Sequence, residues 1–148
     1  MKHLLILGFS LLFTLGLVFY NFSSVSYTSS SKQDSKTYPF ETYDNENHFE
    51  VIQMQTKEVY EKYTTLFEKY NYSGNGYCWE DHIVQILEKE NEELINSIHF
   101  DSEADTFFAY SEDEKTREEL LKILCPIFQD LNLLEKYIQE ADRSRIDD

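Results

Sequence analysis

The side chains best suited to chemistry are His48, His82, His99, Cys78, Cys125 and the acids Glu80, Asp81, Asp101, Glu103 and Asp105. Their spacing assembles no familiar reaction centre. No H-E-x-x-H, C-x-x-C or G-x-S-x-G pattern occurs. Glu80, Asp81 and His82 are adjacent, so on a helix they fan out over different faces and cannot converge alone. Acids at a helix start are instead favoured by the positive end of its dipole. "DSEAD" alternates Asp101, Glu103 and Asp105, but lacks the central glycine and closing glutamate of a calcium loop. An acidic hairpin turn is the better reading.

"SGNGYCW", residues 73–79, poses the sharper question. Glycine-rich loops at helix starts can cradle phosphate through backbone N–H groups. Here Glu80 and Asp81 follow, and no Lys or Arg lies nearby. A dinucleotide fingerprint would also need a third glycine and a strand before it. The stretch is therefore expected to be architectural. Gly74 ends a helix in left-handed conformation, Gly76 eases the turn, and the single tryptophan, Trp79, drops into the core. Cys78 falls where the next helix should be capped. A thiol there can be activated, but the acids beside it weaken the effect. Cys78 and Cys125 either pair in an oxidising compartment or remain two buried thiols. No catalytic set, metal site or cofactor is expected.

The elements that must position these residues follow from periodicity. "TYPFETYDNENHFEVIQMQ", residues 37–55, reads as a β-hairpin turning at "DNEN". Phe49 and Val51 share one face, and Ile52 and Met54 the other, the pattern of a strand covered on both sides. Residues 57–70 form a helix, with Val59, Tyr60, Tyr63, Leu66, Phe67 and Tyr70 at helical spacing and Thr56 as N-cap. A second helix spans about 79–90, with Trp79, Ile83, Ile86 and Leu87 inward. Residues 90–98 add a short helical turn or extend it. Residues 98–113 form a second hairpin around "DSEAD". Ser111 with Glu114, and Asn132 with Glu135, match capping boxes for two further helices. Pro126 should kink the first of these or end it. "DRSRIDD" closes the chain as a polar tail. The fold class is α+β, an antiparallel sheet of two β-hairpins with helices packed on it, in the order β-β-α-α-β-β-α-α.

At 148 residues there is room for one ordinary domain. Lys2 and His3 precede an uncharged apolar run over residues 4–20, so residues 1–26 read as a signal peptide or signal anchor. Residues 27–37 read as a flexible tether and 38–148 as the globular domain. Of 13 basic and 28 acidic residues, residues 1–36 hold three lysines and one aspartate; the remainder carries 10 and 27, a net −17. Such a field repels nucleic acid and anionic headgroups and favours a basic partner, and it also confers solubility.

"GNGYCWED" and "INSIHFDSEADTFFAYSEDEKTREELLKIL" together resemble the Immunity protein 51 family of bacterial polymorphic toxin systems. Gly74, Asn75, Gly76, Tyr77, Trp79 and Glu80 fit the first motif. Phe100, Asp101, Glu103 and Ala104 fit the second, and Phe108, Ala109 and Tyr110 a third. The chain departs from the pattern at Cys78 and Asp105. The resemblance covers residues 38–140 and implies a non-enzymatic inhibitor that binds a cognate toxin. On that basis the toxin-binding residues are expected to be Asn75, Tyr77, Glu80, Asp81, Asp101, Glu103 and Asp105. With the N-terminal segment, the expected location is the periplasm or the periplasmic side of the inner membrane. The alternative is an exported or membrane-anchored acidic module with another envelope partner.

Overall fold

The computed structural model describes residues 36–147. The expected export segment and nearly all of the expected tether lie outside the described residues. Strand β1 (Phe40–Asp44) pairs with β2 (Phe49–Gln53), and β3 (His99–Phe100) with β4 (Phe108–Ser111). A β2–β4 pairing, with Val51 opposite Ala109, joins the two hairpins into one antiparallel sheet ordered β1-β2-β4-β3. Between the hairpins lie α1 (Lys57–Glu68), α2 (Gly76–Glu90) and the single turn α3 (Glu92–Ile95). After them come α4 (Glu114–Gln129) and α5 (Leu131–Glu140). The α+β class and the two-hairpin sheet are as read from the sequence.

The buried strand residues Phe40, Val51, Gln53, Ala109 and Ser111 share one sheet face in the observed register. Trp79 of α2 is fully enclosed beneath that face. It stacks on Phe128 at 5.0 Å, and its ring centre lies 5.0 Å from Tyr63, 5.9 Å from Phe67 and 6.1 Å from Phe40. Offset and edge-on aromatic contacts add to the area such rings bury. Truncating a side chain so enclosed typically costs about 3–5 kcal/mol. Tyr63 sends its hydroxyl into the core to donate to Phe128 O at 2.7 Å, and burial pushes its pKa up.

Several local expectations are corrected. Along its strands the first hairpin is not covered on both sides, since Ile52 lies on a face where no strand residue is buried, although Met54, just past β2, is in the core as expected. Helix α1 ends at Glu68, and Asn71 rather than Gly74 takes the left-handed position that closes it, with φ 61°. Tyr72 N–H bonds back to Phe67 O and Asn71 N–H to Glu68 O, the paired bonds of a left-handed helix end. Tyr60 points out, 63% exposed. Helix α2 begins three residues before Trp79, and its cap is Asn75, not Cys78.

The two expected capping boxes are also displaced. Asp113 caps α4, accepting from Thr116 N at 2.9 Å, while Ser111 Oγ donates to Asp113 O. Asp130 caps α5, which places Asn132 inside the helix. An ionised Asp next to the expected Ser or Asn is the stronger acceptor for the positive helix end. Helix α4 continues through Pro126 to Gln129. Pro126 is exposed, and Leu124, Ile127 and Phe128 on either side are held in the core. That packing outweighs one lost backbone bond. The polar tail is docked on α2. Gln85 bonds to both backbone groups of Asp142, and Arg145 forms a two-pronged ion pair with Glu88 at 2.8 and 2.6 Å.

Candidate functional site

The chain leaves α1 at Asn71 and must re-enter a helix by residue 76. Gly74, at φ +69°, takes a left-handed step that a side chain would strain, and a Cβ there would sit 3.2 Å from Thr64 Cα. Asn75 then caps α2, its Oδ1 accepting from Cys78 N at 2.7 Å. Gly76 faces the β3–β4 turn so closely that a Cβ would lie 1.9 Å from Glu103 O and 2.3 Å from Thr106 O. In place of a side chain, its N–H donates to Ala104 O at 3.3 Å. One turn later, Glu80 accepts from Ser102 N at 3.3 Å. The hairpin tip thus rests on the N-terminal turn of α2, backbone against backbone.

The tip is fixed from its other side as well. Glu103 and Thr106 exchange backbone bonds at 3.0 and 3.3 Å. Ser102 Oγ accepts from Phe108 N at 3.1 Å, and Gln55 donates to Thr106 Oγ1 at 2.6 Å. Asp105 and Tyr60 share the wall of a shallow pocket of about 210 Å³ with Lys57 and Met54.

The Immunity protein 51 family matches the chain over residues 40–143. The chain belongs to that family. No curated protein and no solved structure matches it. In this Immunity protein 51 domain, the glycine-rich motif and the "FDSEA" motif are the two halves of one contact. Immunity proteins as a class neutralise toxins and are generally not enzymes.

The seven expected toxin-binding residues divide by role. Asn75 is committed to capping α2 and Glu80 to holding the tip. Asp81 accepts from Asp147 N at 2.7 Å and ties down the C-terminal segment. Tyr77 is 39% exposed, and Asp101, Glu103 and Asp105 are exposed along the tip. Among the described residues the side chains of these four have no hydrogen bond or ion pair. The structure therefore sets Gly76, next to Tyr77, against the backbone of Glu103 and Thr106, leaves Asp105 in the wall of the Tyr60 pocket, places Asp101 at the tip's base and turns Asp81 toward the tail. Sequence reading missed Tyr60 as a surface residue, because its spacing to Tyr63 fits the buried stripe equally well.

One pair could be mistaken for a nucleophile and its base. Cys78 Sγ lies 3.6 Å from His82 Nδ1. The same Nδ1 lies 2.7 Å from Cys78 O, a carbonyl that can only accept, so Nδ1 carries the proton. It is therefore not free to take one from the thiol. Cys78 and His82 are also buried, at 0% and 1% exposure. The pair staples the first turns of α2. Cys78 and Cys125 are not bonded to each other, and burial pushes the Cys125 thiol up to about 11. No group of three or more His, Cys, Asp or Glu among the described residues is placed to hold a metal ion.

Proposed function

We propose that this domain neutralises a cognate bacterial toxin by binding it tightly, with no reaction of its own. The observation that carries the reading is the convergence of two of the three family-like motifs on one corner, bonded through its backbone, with Tyr77, Glu103 and Asp105 exposed in the same two segments. Motif residues that serve only the fold would have no need to present an acidic, aromatic edge to solvent. The cognate toxin is basic on its contacting surface, since the domain's net −17 steers positively charged partners toward it. The locked tautomer and burial of the Cys78–His82 pair support inhibition without catalysis.

The site of action is the cell envelope, a reading that rests on the apolar run at residues 4–20. Among the described residues no helix is long and apolar enough to cross a membrane. An exported module with a different envelope partner rests on that same run.

Co-expression tests the reading. Cells producing the toxin encoded beside this chain should survive when the full chain is present, and the two purified proteins should co-elute. Killing that proceeds despite folded, abundant chain would overturn it. Fractionation and N-terminal sequencing of the mature chain test the envelope location.

A further inference from the structure

The sheet has a second face, opposite the one that covers Trp79. None of its side chains is fully buried. The strand register arranges them in two rows across the sheet. One row runs Asp101, Phe108, Ile52, Glu41, with Asp101 N–H bonded to Phe108 O at 3.0 Å. The other runs His99, Tyr110, Glu50, Tyr43. Half-buried Phe108, Ile52 and Tyr110 thus meet at the centre, and carboxylates stand around them. None of the four strands contains Lys or Arg.

The face is also held in shape. Tyr110 stacks on His99 at 4.9 Å and 16° and is flanked by His48 at 4.9 Å. Tyr43 donates to Glu41 at 2.6 Å, a bond that raises the tyrosine's pKa. Glu50 accepts from Asn45 at 2.6 Å and contacts His48 at 2.8 Å.

Resting on the immunity reading, we infer that this half-buried sheet face is the platform on which the toxin docks, and that the toxin presents an apolar or aromatic side chain ringed by Lys and Arg. An apolar centre with a polar rim is how protein interfaces are built, with the centre supplying most of the affinity. The acidic rim selects the partner's chemistry. It disfavours an anionic bilayer or nucleic acid, and it disfavours a second copy of this chain, whose own acids would meet it. The corner at Tyr77, Glu103 and Asp105 is too small to supply the roughly 800 Å² per partner that a stable complex buries. Asp101, at the base of the tip, makes corner and sheet face continuous.

Two variants of the full chain test the platform against the toxin encoded beside it. Phe108→Thr removes the apolar centre while keeping a residue suited to a strand. It should weaken binding about 30-fold or more, with the melting temperature followed in parallel. Glu41→Lys keeps the centre and reverses one rim charge. It should slow association about tenfold in low salt, with the difference fading in high salt. Lys136→Ala on α5 serves as the control and should bind as the parent does. If the parent binds and both sheet variants bind equally well, the platform is wrong and the immunity reading stands. If the parent neither binds nor protects, the immunity reading falls and takes the platform with it. A parent dimer in light scattering that Phe108→Thr splits would make the face a self-interface and overturn the inference.

Discussion

Gly76 shows how one residue can be read correctly for the wrong reason. Its pairing with Gly74 suggested a permissive turn, yet Gly76 needs no unusual backbone angle. It is required because the carbonyls of Glu103 and Thr106 occupy the space a Cβ would fill. Such a contact joins residues nearly thirty apart and leaves no local trace, so only the glycine itself was legible. Gly76→Ala follows from this with an inverted sign. Alanine in a helix is ordinarily about 1 kcal/mol better than glycine. Here the tip must be pushed away, so the variant should lose about 1–3 kcal/mol, the usual cost of overpacking. Urea unfolding followed by circular dichroism measures it, and a stabilised variant would contradict the close approach. Cys78 and Tyr60 were harder. The first lay within a few residues of the true cap, and the second shared the spacing of the core stripe.

Two capping carboxyls tie local structure to pH. Asp113 is held below the ordinary aspartate range by the Thr116 hydroxyl and then by the Thr116 N–H. Asp142 is held down likewise by the Ser144 side chain and then its N–H. A carboxyl whose pKa is lower folded than unfolded adds stability above the ordinary value near 4 and loses it as the pH falls through the folded value. Stability should therefore drop between about pH 5 and pH 3. Asp113→Asn should flatten part of that slope in urea midpoints taken across this range, because amide caps do not titrate. An unchanged slope would show that the cap is not linked to folding. At this scale the sequence revealed every long helix and both hairpins, since each carries a strong apolar period. It placed the Thr56 cap correctly and the others two or three residues away, because Asp, Asn, Ser and Thr crowd each boundary and three-dimensional packing chooses among them.

Across the molecule, the acidic excess was plain from composition, whereas its distribution was not. Strand alternation suggested a sheet covered on both sides, and only the register shows that Ile52, Phe108 and Tyr110 share the face opposite Trp79, where they are half-buried. The excess has an intrinsic cost, since like charges repel in the compact state. The ion pairs that oppose it, such as Lys89–Glu140 and Arg145–Glu88, are exposed and individually weak. Screening should therefore help more than it harms. The melting temperature should rise between about 20 mM and 500 mM sodium chloride, where the Debye length shrinks severalfold. A fall would mean that the surface pairs dominate. The β2–β4 seam has one more consequence. It is the only ladder between the described strands that joins the first hairpin to the second, and α1 and α2 lie between them in the chain. Neither half can keep a complete sheet without the other, so this seam opens only when the whole domain does. In native-state hydrogen exchange the amides along it should be the last to take up deuterium, and their exchange free energy should equal that of global unfolding.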